Sequence, residues 1–310
     1  MTTPRWHESS SSEPGGSQFS LIEASALAEA SSRDGCCARN FEAMTLFEPD
    51  PNVEVSATTR AVPDVTTRYK LVVAYDGTAF RGFARQDRQR TVAGVLTESL
   101  ETITQHSIEL VCAGRTDAGV HAWGQVVSFD AARDLDSRKV MNSLNSMLAP
   151  EVVVRCIDLA DDDFSARFSA QWRMYRYTIV NRAVADPFRA NTAWWVERPL
   201  DIRALRTAAD IFLGEHDFAS FCRKGPEGST TIRRILESRW VDEGDGILRY
   251  EIQGTAFCWQ MVRSIVGTLV EVGHGKRRPG DILSVLRAGD RKLAGQLAPP
   301  HGLCLWEVGY

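Results

Sequence analysis

YKLVVAY (69–75), VAGVLTESLETITQ (92–105), IELVCAG (108–114), GQVVSFD (124–130), SRKVMNSLNSMLA (137–149) and EVVVRCIDL (151–159) follow one another along a single stretch of the chain. The first segment alternates and is rich in β-branched residues, which predicts a strand, and it stops at the turn pair Asp76-Gly77. In the second, Val92, Val95, Leu96, Leu100 and Ile103 recur at helical spacing behind Thr91, whose hydroxyl suits an N-cap. The third and fourth read as strands, the fifth as a helix stopped at Pro150, and the sixth as a strand. The resulting order β-α-β-β-α-β is the split βαβ plan.

A second series follows. QWRMYRYTIVN (171–181) predicts a strand, and DIRALRTAADIFLG (201–214) a helix with Gly214 as its C-cap. Residues 235–257 read as a hairpin around Gly244–Gly246, residues 258–273 and 279–290 as two helices, and CLWEVGY (304–310) as a closing strand. The expected class is therefore α+β: two ferredoxin-like (split βαβ) subdomains with mainly antiparallel sheets flanking a catalytic cleft. The boundaries expected are 65–165 and 166–310. Before them, residues 1–64 are rich in Ser, Glu, Ala and Pro with weak periodicity, and read as a disordered acidic extension.

Charge divides along the same line. The 310 residues carry a net charge of −4, which taken alone argues against a nucleic-acid partner. Ten acids against four bases lie in 1–64, leaving 32 basic and 30 acidic residues in the part expected to fold. That part is slightly basic, and a polyanion senses the local field of a groove rather than the chain total. Seven scattered cysteines form no CxxC or CxxH pair, so neither a thiolate zinc site nor a disulfide framework is expected. Cys112, Cys156 and Cys258 sit in apolar stretches and read as small core residues. No apolar run reaches the ~20 residues a membrane helix needs, and the N-terminus has no leader pattern, so a cytoplasmic protein is expected.

AGRTDAGVHA (113–122) is the segment that carries chemistry. An Asp in a glycine-flanked turn is most often a turn or cap residue. Here Gly114 and Gly119 bracket it at the end of an apolar strand, which holds Asp117 at the rim of a sheet and lets backbone approach a ligand. Arg115 can pair with a carboxylate and keep it ionised, as a nucleophile requires, or stand as an exposed cation. At these residues the chain resembles the TruA family of tRNA pseudouridine synthases, without a break from Ala113 to His121. YDGTAFRGF (75–83), DDDFSARFSA (161–170), RMYRYTIVN (173–181), AFCWQMVRSIVGTLVEVG (256–273) and LAPPHGLCLWEV (297–308) resemble the family's other motifs, in the same order. The resemblance spans residues 68 to 310. It implies Asp117 as nucleophile, Tyr175 as the tyrosine that packs on the target base, and Arg263 as an arginine near the catalytic carboxylate. It also implies tRNA as partner, uridines at positions 38 to 40 of the anticodon arm, and a homodimer. Gly82-Phe83-Ala84-Arg85-Gln86 and Thr91-Val92-Ala93 lack glutamines that the family commonly has, in a region implied to touch RNA.

From the residues alone, Tyr175 and Tyr177 share a strand face and equally suit a core. Arg263 lies in an apolar helix with Trp259, Val262 and Val266 around it, so a bare guanidinium there would cost several kcal/mol. An internal carboxylate is expected as its partner, Asp117 being preferred over a structural glutamate. Pseudouridine formation moves the sugar from N1 to C5 of the same uracil with no net redox change, so no hydride carrier, nucleotide cofactor or metal is expected, and the chain has no Walker loop or dinucleotide fingerprint. A carboxylate can add to C1′, add to the ring, or assist elimination. The uridine must leave its stack, which asks for an aromatic platform and a cationic clamp. The run RGFARQDRQR (81–90) offers arginines for RNA, Arg85 and Arg88 foremost, with Arg167, Arg173, Arg176, Arg223 and Lys224 as further candidates. His121 and Gln125 are either polar supports of the loop or filler. Competing readings are a synthase acting on another structured RNA and an inactive RNA-binding paralogue; a glycosidase lacks a matching second carboxylate motif.

Overall fold

A computed structural model describes residues 66–132, 135–225 and 228–310. The acidic extension expected over 1–64 lies outside the described residues. The first half runs β1 (Thr66–Tyr75), α1 (Val92–Thr104), β2 (Val111–Cys112), β3 (His121–Ala132), α2 (Ser137–Leu148) and β4 (Val152–Leu159), the order read from the sequence. β1 lies between β4 and β3 and is antiparallel to both, with Leu71 opposite Ile157 on one side and Val127 on the other. Strand alternation sends Tyr69, Leu71, Val73 and Tyr75 to one face. There they are buried in one cluster with Val92, Leu96 and Leu100 of α1 and Val140 and Leu144 of α2. Thr91 caps α1 by accepting from the Gly94 N–H.

The second half runs β5 (Trp172–Val180), β6 (Trp194–Trp195), α3 (Ile202–Asp210), β7 (Gly214–Asp217), β8 (Ile232–Gly244), β9 (Ile247–Gly254), α4 (Met261–Gly273), α5 (Asp281–Ala288) and β10 (Leu303–Gly309). Its strands lie in the order β10-β5-β9-β8-β7, each antiparallel to the next. The halves are not separate sheets. β10 pairs in parallel with β3, Cys304 against His121 and Leu305 against Ala122, so one mostly antiparallel sheet of ten strands runs through the described residues. α4 is buried along most of its length.

Among the boundaries that differ from the sequence reading, three have a distant partner as their cause. β2 keeps only two residues of the strand read over 108–114; beyond Ala113 the Gly114 carbonyl accepts from the Gln125 side chain at 2.6 Å instead of a strand neighbour. β3 begins three residues earlier than read, where β10 meets it. α3 ends at Asp210, and Gly214 is not its C-cap: at φ +93° it opens β7. The intervening Phe212 is drawn fully into the core against Phe218 and Phe221.

Candidate active site

Both halves of the molecule hold the 113–121 loop. Ala113 donates its N–H to Val126 at 2.9 Å, the last ladder bond before the loop departs. Thr116 shares a 2.8 Å hydrogen bond with the buried Tyr75 hydroxyl, and its carbonyl accepts from Phe83 N–H at 3.1 Å. The Val120 N–H closes a turn onto the Asp117 carbonyl at 3.1 Å. Gly119 has φ +77°, and a Cβ there would stand 3.0 Å from Pro300 Cγ, so both conformation and space ask for glycine. Gly114 needs neither, since a Cβ there would meet only the Tyr175 hydroxyl at 3.6 Å.

His121 and Gln125 are supports. The His121 Nδ1 accepts from Gly77 N–H at 3.0 Å, while Nε2 faces the carbonyls of Asn191 at 2.8 Å and His301 at 3.1 Å. Two carbonyls call for a proton on Nε2, and Nδ1 also lies 3.1 Å from the Asp76 carboxylate. The imidazole thus ties the end of the loop to two segments of the second half.

Asp117 projects from this frame with 24% of its side chain exposed. Its Oδ2 receives Arg263 Nη1 at 3.2 Å and its Oδ1 receives the Trp259 indole N–H at 2.9 Å. The ion pair expected from the sequence is therefore present. Arg263, 11% exposed, is itself anchored, with Nε donating to the Ala298 carbonyl at 2.8 Å and its own carbonyl accepting from Ala298 N–H at 3.2 Å. By its spacing Trp259 is an apolar neighbour of Arg263, and sequence reasoning missed its role as a donor. The signal available was its type: tryptophan is the aromatic side chain that carries a ring N–H donor on a large apolar body.

Tyr175 is only 7% exposed and packs edge-on against Phe257, with ring centroids 5.1 Å apart. Burial pushes its phenol well above the usual range; the Arg173 charge pulls against this and the Asp117 charge adds to it. Tyr177 is a core residue, its hydroxyl donating to the Pro299 carbonyl at 2.8 Å.

Arg115 is exposed and makes no ion pair among the described residues; Arg263 occupies the position expected of it beside Asp117. The cations proposed for RNA divide in two. Arg85 and Arg88 are exposed and free of ion pairs among the described residues, and Lys224 is exposed. Arg90 instead pairs with Glu151 at 2.6 Å and covers the Phe80 ring. Arg167 lies over the Phe168 ring, and Arg223 over Trp259 at 4.0 Å. Two candidates are structural. Arg173 donates to the carbonyls of Ala113, Arg167, Ala170 and Thr255, and burial draws its pKa down. Arg176 pairs with Glu251 at 2.9 Å and stacks over Trp306 at 3.8 Å. Side chains two residues apart on a strand share a face, so the parity that brings Tyr175 toward Asp117 sends Arg176 to the opposite side. Among the described residues no group of three or more His, Cys, Asp and Glu side chains gathers to hold a metal ion. No described helix is long and apolar enough to cross a membrane.

The family model described as tRNA pseudouridine synthase matches residues 71–169 and 208–310, which takes in Asp117, Trp259 and Arg263. Proteins named tRNA pseudouridine synthase A are similar over nearly their full lengths. That of Pseudothermotoga lettingae is 42% identical over 78% of this chain and 99% of its own. That of Brevibacillus brevis is 44% identical with the same coverage, and that of Leifsonia xyli 43% identical over 80% of this chain and 93% of its own. The 113–121 loop, the sheet and the helix that meet at Asp117 all fall within these matches, and the chain belongs to the tRNA pseudouridine synthase family.

Proposed function

We propose that this protein isomerises uridine to pseudouridine in the anticodon arm of tRNA, at positions 38 to 40, with Asp117 as nucleophile and without a cofactor. The observation that carries the reading is the Asp117 carboxylate itself. It stands partly exposed in the loop between β2 and β3, with one oxygen held by Arg263 in the first turn of α4 and the other by Trp259 just before that helix. In the reaction the N1–C1′ bond breaks, a C5–C1′ bond forms, N1 takes a proton and the C5 proton leaves to solvent. A carboxylate fixed in orientation serves such a reaction because it meets the nucleoside without first reorganising. Tyr175, beside the loop, supplies the aromatic surface for the displaced base, and Arg85 and Arg88 are the cations for the RNA backbone. We read the fold as two ferredoxin-like halves, 65–165 and 166–310. Supporting this, β4-β1-β3-β2 and β10-β5-β9-β8 repeat one order: fourth, first, third, second among each half's main strands. A cytoplasmic homodimer completes the reading.

The test uses tRNA labelled with tritium at uracil C5. Wild-type protein is expected to release tritium, and Asp117→Asn to release none while retaining its melting temperature and tRNA affinity, since the amide is nearly isosteric but a poor nucleophile. Turnover by a verified Asp117→Asn protein would remove Asp117 from the role. Release from another structured RNA but not from tRNA favours the alternative substrate; no release by the wild type favours an inactive RNA-binding paralogue.

A further inference from the structure

We infer that Trp259 is a positioning residue of the isomerase, whose indole N–H fixes the plane of the Asp117 carboxylate and is itself held in place by the guanidinium of Arg223. The inference rests on the reading of Asp117 as nucleophile. A lone contact from Arg263 Nη1 to Oδ2, at 3.2 Å, leaves the carboxylate free to rotate about Cβ–Cγ, a torsion with a broad, two-fold profile. A second donor on the other oxygen removes that freedom, and the Trp259 N–H is there at 2.9 Å. The two donors are also unequal. Arg263 is only 11% exposed and pinned to Ala298, whereas Trp259 is 48% exposed.

Packing alone does not account for an indole at this position. A tryptophan half in water has surrendered much of what its ring gains by burial. What the site has instead is a second restraint on the ring. The Arg223 guanidinium lies 4.0 Å from the ring centroid, and the Arg223 N–H donates to the Trp259 carbonyl at 3.0 Å. Trp259 is thus fixed through backbone and ring by the 223 segment while its single polar atom is spent on the nucleophile. That arrangement serves orientation of Oδ1, with Arg223 acting one step removed through the ring.

Single-turnover tritium release from C5-labelled tRNA, with tRNA affinity measured in parallel, tests this. Trp259→Phe keeps an aromatic ring and deletes the donor. Its rate should fall about 10- to 100-fold, the worth of one hydrogen bond to a charged group, with affinity changed less than about twofold. Trp259→His restores a ring N–H and should recover at least severalfold of that loss. Arg223→Gln, which removes the stack and leaves Trp259 in place, should lower the rate about two- to fivefold. A Trp259→Phe rate within twofold of wild type overturns the inference, as does a loss confined to affinity, which would make Trp259 a stacking surface for RNA. An equal loss in the Phe and His variants overturns it too, by assigning the effect to ring packing. If Trp259→Phe fails to fold, an unchanged rate in Arg223→Gln overturns the inference in its place. Asp117→Asn run alongside separates the two claims: its turnover sinks the nucleophile, whereas a dead Asp117→Asn beside a normal Trp259→Phe sinks only the positioning role.

Discussion

Two donors of different kinds meet the Asp117 carboxylate, and they answer different physical demands. Arg263 is the electrostatic one: in a helix whose neighbouring side chains are buried, its guanidinium needs an anion, and Asp117 needs a cation. Arg263→Met keeps much of the stem and removes the charge. Turnover should fall about 100-fold or more, while stability changes by no more than about 1–2 kcal/mol, because a desolvation cost disappears with the charge. Arg263→Lys should restore only part, since an ammonium cannot reach both Asp117 and the Ala298 carbonyl as the planar fork does. Combining Arg263→Met with Asp117→Asn and measuring unfolding free energy isolates the pair; a coupling of about 1–3 kcal/mol is expected, and strict additivity would show that the contact carries no energy. This ion pair was legible in the sequence because an isolated cation in an apolar helix demands explanation. Trp259 was not, because an aromatic residue satisfies an apolar pattern whether it packs or donates. Arg173 and Arg176 likewise look like free cations until the Ala113 carbonyl and Glu251, 60 or more residues away, are in view.

At the scale of elements, strands and helices with strong local periodicity were readable, and what was lost depended on contacts far along the chain. Nothing near residue 121 announces that the last strand will extend β3, and nothing near Gly214 announces a strand rather than a cap. Close approaches between elements hide in the same way. Gly267 sits mid-helix in α4, where glycine ordinarily weakens a helix. Yet a Cβ there would come within 1.7 Å of the Gln296 carbonyl oxygen. The same helix–segment contact carries Ala298, the anchor of Arg263, so Gly267→Ala should destabilise the protein by about 2–4 kcal/mol and lower turnover as well; an unchanged urea midpoint would show that the segment yields freely. Glu251 on β9 makes a second test, this one between strands. Burial alone would raise its carboxyl, but Arg239 with Arg176 and Arg249 holds it below the usual range. A carboxyl lowered in the folded state contributes stability above its unfolded pKa of about 4.3 and loses that contribution as pH falls. Glu251→Gln should therefore cost about 1–3 kcal/mol at neutral pH, its arginines being partly solvated, and the gap from wild type should close as pH drops below about 4. A gap that stays constant with pH would mean that the three arginines do not act through charge.

For the whole molecule the relevant quantity is where positive charge remains unspent around Asp117. The 310-residue chain is acidic in sum, so attraction to RNA must come from local placement. Gly82 and Phe83 provide that placement. Phe83 N–H holds the Thr116 carbonyl, and Gly82, at φ +97°, lies so close that a Cβ would meet the same oxygen at 2.8 Å. The 81–90 loop is thereby fastened to the 113–121 loop one residue from Asp117, which is the ground for proposing it as the place where RNA is gripped. Within that loop Arg90 is committed to Glu151, whereas Arg85 and Arg88 carry exposed guanidinium groups with no ion pair among the described residues. Binding of tRNA should then weaken steeply with salt, the log–log slope carrying about −0.9 for each duplex phosphate neutralised. Replacing Arg85 and Arg88 by Glu should flatten the slope by about 1 per residue. It should also weaken binding at low salt and leave the melting temperature within about 1–2 °C, since neither side chain has an ion-pair partner to lose among the described residues. Turnover at saturating tRNA should change much less than affinity, because the role proposed for the two cations is to grip backbone, away from the reacting atoms. Filter binding across a salt series decides between the alternatives. A slope equal to wild type would make this run a solvated face and leave the exposed Arg223 and Lys224 as the cations to test in its place.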